Sequence, residues 1–250
     1  MSHGFTRGKV DQTLFIKRED GELIVAQVYL NDIIFELTKD EFAHGFSNLM
    51  QAEFEISIIG ELTHFPGLQI RQQDLGIFLS QSKYAKNLVK KFGLEFASSV
   101  RTPMSPNVKL TVNLLGKSID PSLYRSMISS LLSLTASKPD ISYNVGVCAR
   151  YQANPKKSHM TALKMIIKYV KTTAEFGVWY SKDTSDVLAG YSDVDWAGNA
   201  DDRKSTSGGC FYVGNNLVSW MSKKQNSISL STAKAKYIAT GGCCTQLLWM

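Results

Sequence analysis

The stretch GYSDVDWAGNADDRKSTSG, residues 190–208, carries the strongest structural signal in this chain. It places the carboxylate of Asp193 within an apolar-flanked segment that has the pattern of a β-strand, and a polar, glycine-rich turn follows. A charge in a buried strand is costly unless something compensates it, and a metal ion is one such compensation. The alternative is a strand that ends at Tyr191, after which Asp193 and Asp195 cap a turn. The spacing alone leaves both interpretations open.

Composition excludes several other classes of protein. Of the 250 residues, 44% are hydrophobic and 20% are charged, which is typical of a soluble protein with a substantial core. The four cysteines show neither a C-x-x-C pair nor a histidine at zinc-ligand spacing, which disfavours a disulfide or zinc scaffold. The chain opens without the pattern of a signal peptide, and no apolar run reaches the length of a membrane span. We therefore expect an intracellular protein, cytoplasmic or nuclear, without a membrane partner, and the net charge of +6 suits a polyanion.

Local patterns predict two hairpins, each followed by a helix, in the first part of the chain. Apolar runs over 23–38, interrupted at Asn31 and Asp32, predict the first hairpin, and a helix over 41–54 follows. The segment GLQIRQQDLGIFLS, residues 67–80, predicts the second. Ser82 is expected to cap the next helix, which Gly93 ends.

The rest of the chain is predicted to run from a linker through helices to strands. Residues 98–118, with Pro103 and Pro106, have the composition of a linker. Asp120 and Pro121 predict a helix start, and its buried face is predicted to carry Tyr124, Ile128, Leu131, Leu132 and Thr135. Two further helices are predicted to begin near Pro139 and at Asn154–Pro155. From Val178 strands are predicted over VWYS, VLAGYSDVDW, GCFYVG, LVSWMS and NSISLS, before a last helix capped by Ser231 or Thr232.

Several ordered blocks of sequence carry a family resemblance. The blocks SDVDWAG, DDRKSTSGG and VSWMSKKQNSISLST resemble the start of the ribonuclease H domain in copia-type retrotransposon Pol polyproteins. The earlier blocks YLNDIIF, GLQIRQQDLGIFLSQSKYAKNLVKKFG, KPDISYNV and ANPKKSHMTALKMIIKYVK are similar to that family's reverse transcriptase and its connection to ribonuclease H. The blocks follow the family's order and cover essentially the whole chain, so the resemblance implies a segment of a Pol polyprotein.

The resemblance implies a polymerase turn at Tyr29, Leu30, Asn31 and Asp32. In the family this turn has the pattern aromatic-x-Asp-Asp, and its carboxylates hold the Mg²⁺ ions that bind the incoming nucleotide. Here Asn31 replaces the first Asp, and the family's third metal-binding Asp lies on an earlier strand that precedes this segment. Asp32 is then the remaining catalytic and metal candidate. The alternative is an Asn-Asp hairpin turn that binds no metal.

The resemblance also implies a ribonuclease H site, in which two divalent ions are held by four acids. Asp193 matches the first acid, and Asp195 is expected to face the opposite side of the same strand and to be a turn or solvent residue. In the helix pattern S-T-x-E-A-E-Y this chain has lysines, with Lys236 at the position of the catalytic Glu and Lys234 two residues before it. The other two acids lie beyond Met250 in the family pattern. We hypothesise an ion pair between Lys236 and Asp193 in place of the metal site, or lysines that point to water.

Basic residues suggest contact with nucleic acid. Lys86 and Lys90 lie on or beside the polar face of a predicted helix, and further lysines, including Lys156 and Lys171, decorate another. Arg203 and Lys204 lie in the DDRKSTSG turn. The resemblance implies that the thumb and connection grip template–primer or an RNA–DNA hybrid through the phosphates. The alternative is a solvated amphipathic face.

Together these observations predict an α+β chain in three parts. Residues 1–115 are expected to form a remnant of the reverse transcriptase palm and thumb, 116–185 a helical connection, and 186–250 the first half of a ribonuclease H-like mixed sheet. The parent functions implied are RNA-directed DNA synthesis and cleavage of hybrid RNA with Mg²⁺ or Mn²⁺. Because of Asn31, Lys236 and truncation we expect this copy to be catalytically inactive and to bind no metal tightly. The alternative is a non-catalytic nucleic-acid-binding protein derived from a retrotransposon.

Overall fold

The computed structural model describes residues 3–19, 21–39, 41–105 and 109–250. The chain divides into two compact units, one ending at residue 62 and the other beginning at residue 63. Pro106, which belongs to the predicted linker, lies outside the described residues.

The first unit is an antiparallel sheet with one helix. Its strands lie side by side in chain order, and their bounds are Thr6–Arg7 (β1), Leu14–Glu19 (β2), Glu22–Tyr29 (β3) and Asp32–Leu37 (β4). The helix α1 spans Glu41–Glu53, and its Phe46 packs against the rings of Phe5 and Phe35. The predicted hairpin and helix are both confirmed, because alternating and helical apolar patterns place their side chains on one shared core.

The second unit begins with a hairpin and a helix. The predicted hairpin over 67–80 and the predicted helix after it are confirmed, except for the residue that caps the helix. The strands are His64–Phe65 (β5), Leu68–Gln73 (β6) and Gly76–Ser80 (β7), and α2 spans Ser82–Lys91. Ser82 is the first helical residue and not the cap: Gln81 occupies the cap position, and its side chain instead accepts a hydrogen bond from Ser137. The helix ends as predicted, since Gly93 adopts a left-handed φ of 66° and lets Leu94 donate to the carbonyl of Val89.

Three helices form the main core of this unit. Their bounds are Pro121–Leu134 (α3), Pro139–Ala149 (α4) and Lys157–Thr172 (α5). Asp120 caps α3 as predicted, accepting hydrogen bonds from the backbone N–H groups of Ser122 and Leu123. The prediction that Leu132 belongs to the buried face is wrong: its side chain is 48% exposed, and Leu134 is buried instead.

The predicted linker is anchored to these helices. Leu110 is buried in their core, and its carbonyl accepts a hydrogen bond from the Tyr151 hydroxyl at 2.8 Å. The fully buried His159 accepts from the backbone N–H of Lys156 and meets the carbonyl of Thr111 at 2.6 Å. The described part of residues 98–118 is therefore a strap fixed along the helices.

The last part of the chain contains four strands and a helix. The strands are Gly177–Ser181 (β8), Leu188–Asp195 (β9), Thr206–Val213 (β10) and Asn216–Lys224 (β11), and α6 spans Thr232–Trp249 with Ser231 as its cap. The prediction of a strand over NSISLS is wrong, because polar groups of this segment form hydrogen bonds that are not those of a strand pair. Ser229 donates to the side chain of Gln225 and accepts from the indole of Trp196.

Two antiparallel sheets organise these strands. β8 joins β7, which gives the sheet order β5-β6-β7-β8, and the second sheet has the order β11-β10-β9. Within the described residues this second sheet contains antiparallel pairs alone, where a mixed sheet was predicted.

Helices cover both faces of the β9–β11 sheet. On one face, Tyr143 of α4 bonds to Asp195 and the indole of Trp220 donates to the carbonyl of Thr135. On the opposite face lies α6, since a Cβ on Gly190 would meet Cys243 and Leu247. We call these the α4 face and the α6 face.

Six helices and three antiparallel sheets within the described residues confirm the predicted α+β class. The boundaries predicted at residues 115 and 185 stay predictions about the parent polyprotein. None of the helices in the described ranges combines the length and the hydropathy that a membrane crossing requires.

Candidate nucleic-acid and metal-site residues

The predicted polymerase turn is an exposed hairpin tip with one carboxylate. Tyr29 pairs with Asp32 across the end of β3 and β4, and Leu30 and Asn31 connect them. Leu30 takes a positive φ of 54°, a conformation that a branched side chain rarely adopts. Asp32 is exposed, and its neighbour Asn31 supplies an amide at the position where the resemblance implies a second carboxylate.

Asp193 lies on the α4 face of β9. Its side chain is exposed beside a shallow cleft that Tyr143, Tyr191 and Trp220 also line. One carboxylate oxygen accepts a hydrogen bond from the backbone N–H of Val194 at 2.7 Å. The carboxylate therefore satisfies a backbone donor of its own strand.

Asp195 has a structural partner, where a turn or solvent role was expected. Its Oδ2 accepts a hydrogen bond from the Tyr143 hydroxyl at 2.8 Å. Burial, followed by this hydrogen bond, raises the pKa of Tyr143 to about 12. The expectation that Asp195 faces away from Asp193 is wrong: residues two apart on one strand share a face, so both face α4.

The hypothesised ion pair between Lys236 and Asp193 is not formed. Lys236 belongs to α6, on the opposite face of the sheet from Asp193, and its side chain is exposed, as is that of Lys234. No salt bridge joins either lysine to Asp193 among the described residues. The alternative that the sequence left open, lysines that point to water, is what the structure shows.

The DDRKSTSG turn is held in place by hydrogen bonds and an ion pair of its two aspartates. Asp201 accepts hydrogen bonds from the Val112 backbone N–H and the Tyr151 hydroxyl, which ties the strap to the turn. Asp202 pairs with Lys224 at 2.5 Å. Burial raises the pKa of Asp202, but its hydrogen bonds with Lys224 and Lys204 bring the net pKa below the usual value. Arg203 is exposed at a left-handed φ of 57°, so the turn presents its guanidinium outward.

The predicted basic residues differ in their exposure and in their ion-pair and hydrogen-bond partners. Lys86 forms an ion pair with Glu175 at 2.5 Å, and Lys90 is exposed in the last turn of α2. The prediction that Lys156 is a surface cation is wrong. Its side chain is buried, and its ammonium group donates a hydrogen bond to the Ser118 hydroxyl. Lys171 donates to the carbonyl of Ala97.

Sequence reasoning missed the residues that hold the site region together. Tyr143, Tyr151, Asp201 and His159 connect α4, α5, the strap and the turn through hydrogen bonds between distant segments. Their spacing gives no local signal. The one available clue was the polar His159 among the apolar positions of a helical pattern.

Comparison with known proteins places the chain in a family. Residues 1–106 match the family model described as reverse transcriptase (RNA-dependent DNA polymerase). The chain is 32% identical over 247 residues to the retrovirus-related Pol polyprotein from transposon RE1 of Arabidopsis thaliana, covering 99% of this chain and 17% of that protein. The chain belongs to the copia-type retrotransposon Pol family.

Other relatives of the family differ in length. The Pol polyprotein from transposon RE2 of Arabidopsis thaliana is 31% identical over 247 residues, again with 17% of its length covered. An uncharacterized mitochondrial protein of the same plant is 30% identical over 222 residues, covering 89% of this chain and 92% of that protein. The chain thus spans about a sixth of the curated Pol polyproteins that it matches. No solved structure matches it.

Proposed function

We propose that this chain is a nucleic-acid-binding segment of a retrotransposon Pol polyprotein that does not itself catalyse phosphodiester chemistry. The parent activities are RNA-directed DNA synthesis and cleavage of the RNA strand in RNA–DNA hybrids. The observation that carries the non-catalytic part of the proposal is the separation of two side chains: Asp193 lies on the α4 face of its sheet, while Lys236, at the position that the resemblance assigns to the catalytic Glu, lies on the α6 side.

The donor sets do not fit the divalent ions that the family implies. Two closely spaced Mg²⁺ or Mn²⁺ ions need several hard oxygen ligands converging on them. The polymerase turn offers the carboxylate of Asp32 beside an amide, and one oxygen of the exposed Asp193 carboxylate accepts a backbone hydrogen bond. In the described ranges, no group of three or more His, Cys, Asp or Glu side chains is arranged to hold a metal ion.

Binding is supported by the distribution of exposed cations. The chain carries a net charge of +6, and Lys90, Arg203 and the partly exposed Lys204 lie at helix and turn positions open to a phosphate backbone. Such contacts are sequence-independent, and each contributes to a linear fall of log K with log salt. We expect a hybrid or template–primer to be the partner and Lys86, paired with Glu175, to contribute less than Lys90.

The test is fluorescence anisotropy with a labelled RNA–DNA hybrid over a range of salt concentrations. We expect Lys90→Gln and Arg203→Gln each to reduce the salt slope by roughly 0.9. Lys9→Gln, at an exposed position of the first unit, is the matched control. In parallel, hybrid cleavage is measured with Mg²⁺ and with Mn²⁺, using Asp193→Asn as the control variant. Absence of salt-sensitive binding overturns the binding proposal. Metal-dependent cleavage that Asp193→Asn abolishes overturns the inactive assignment.

A further inference from the structure

One face of the β5–β8 sheet carries a row of three side chains, one arginine and two aromatic residues, on three neighbouring strands. Arg71 of β6 pairs with Phe78 of β7, and Phe78 pairs with Trp179 of β8. Residues directly opposite each other on neighbouring strands share a face, so the guanidinium and the two rings stand in one line. Trp179 is 40% exposed and Phe78 is half-buried.

Glycines beside the row let the two rings lie over the sheet. A Cβ built on Gly76 would come within 2.8 Å of Cζ2 of Trp179, and one on Gly177 within 2.9 Å of Cζ of Phe78. Each ring therefore extends across the glycine of the neighbouring strand, and any larger residue there would displace it. An aromatic ring held in this way presents a flat apolar surface on which a second planar group can stack.

The rings form the floor of an open groove with a basic rim. The groove has a volume of about 700 Å³, and its lining includes Arg71, Lys83, Lys86 and His64. Glu175 is the one carboxylate of the described lining, and it is paired with Lys86. The amide of Gln69 accepts from the Lys83 backbone N–H at 2.7 Å, which fixes the rim at the start of α2. The groove thus combines stacking surfaces, amides and a surplus of positive charge.

We propose that this groove, the Phe78–Trp179 platform, binds single-stranded nucleic acid. Two neighbouring unpaired bases stack on Phe78 and Trp179, while Arg71 and Lys83 contact the phosphates between and beside them. Aromatic platforms with flanking cations are the general solution for single strands, because every base offers a π-face and the backbone offers charge. A duplex hides those faces between its own stacked pairs. The inference rests on the proposed nucleic-acid binding and adds a site for a single strand beside the binding of a hybrid or template–primer.

The experiment measures anisotropy of fluorescein-labelled oligothymidylate, oligouridylate and an abasic strand of the same length. Trp179→Leu keeps an apolar cover over Gly76 but removes stacking, and we expect about 5- to 150-fold weaker binding of the two base-carrying strands with little change for the abasic strand. Trp179→Phe is expected to retain most of the affinity. Tyr237→Leu, at an 84% exposed aromatic position on α6, is the matched control. Arg71→Gln should lower the salt slope by about 0.7 for every strand. Circular dichroism establishes that each variant is folded.

Three results separate this inference from the proposed function. If Trp179→Leu binds the base-carrying strands like the wild type, or if the abasic strand binds as tightly as oligothymidylate, the platform is refuted. If the RNA–DNA hybrid still binds in that case, the proposed function survives without the platform. If neither single strands nor the hybrid bind, both fail. Equal affinity for oligothymidylate and oligouridylate is expected, since stacking does not read the 2′-hydroxyl.

Discussion

Lys138→Met probes a buried cation on which the helical core depends. Lys138 is 1% exposed at the start of α4, and its ammonium donates to the carbonyls of Thr173 at 2.5 Å and of Phe176 at 3.0 Å. Thr173 is the C-terminal cap residue of α5, so the ammonium lies at the negative end of that helix. The side chain therefore links the beginning of one helix to the end of another.

The expected change in the free energy of unfolding follows from these two hydrogen bonds. Each hydrogen bond from a charged donor contributes about 1.5–3 kcal/mol, and its loss leaves a carbonyl without that donor. Methionine of similar length removes the desolvation cost of the ammonium, which offsets part of that loss. We expect Lys138→Met to lower the free energy of unfolding by about 2–4 kcal/mol, and Lys138→Arg to lower it by less because the charge remains.

Equilibrium urea denaturation followed by circular dichroism measures the effect. Lys164→Met, at an exposed position of α5, is the matched control and should change the free energy of unfolding by about 0.5 kcal/mol or less. A loss below about 1 kcal/mol for Lys138→Met, or an equal loss for the control, would refute the argument.

The same pair of proteins gives a pH test with a defined sign. Burial lowers the pKa of Lys138, although Asp140 and Glu175 oppose the shift. Between that lowered pKa and 10.5 the unfolded chain holds a proton that the folded chain has released. Stability from this group therefore rises with pH in that window. The difference in the free energy of unfolding between wild type and Lys138→Met should grow as the pH approaches 10.5, and a constant or shrinking difference contradicts the assignment.

Three further predictions concern other parts of the second unit. Burial first, and then the charge of a neighbouring carboxylate and the hydrogen bond to it, raise the pKa to about 12 for Tyr143, Tyr151 and Tyr169. Because the unfolded tyrosines lose their protons near pH 10 while the folded ones keep them, stability should fall from pH 10 towards 12, and ultraviolet titration should show a late-titrating class. Gly177→Ala should destabilise by roughly 1–3 kcal/mol in thermal denaturation, since its Cβ would meet the carbonyl oxygen of Leu79 at 2.1 Å. Gly241→Ala, with open space in α6, should instead be neutral or stabilise by up to about 1 kcal/mol, and the reverse order would contradict the geometry. His159→Asn removes a ring stacked on Tyr151 and two hydrogen bonds, and we expect a loss of about 2–4 kcal/mol in urea denaturation; an unchanged midpoint would show that the strap does not depend on this ring.

Local structure was largely predictable from the sequence because its causes are local. Asp120 followed by Pro121 caps a helix through its own neighbours, and Gly93 ends one by adopting a left-handed φ. The failures were local patterns overruled by tertiary contacts. The side chain of Gln81 accepts a hydrogen bond from Ser137, and the carbonyl of Ser229 accepts one from the indole of Trp196, so neither segment follows its isolated preference.

The sequence by itself determined the hairpins, the starts of α3 and α4, and the family, since each rests on a short-range pattern or on ordered blocks of sequence. The starts of α2 and α5 lie one residue before and two residues after the predicted positions, respectively. Only the tertiary structure decided that Phe78 pairs with Trp179, that Asp193 and Lys236 lie on opposite faces of a sheet, and that Lys138 is buried. These arrangements depend on which distant strands and helices pack together. That choice is made by the summed burial of many side chains, and no single stretch of sequence encodes it.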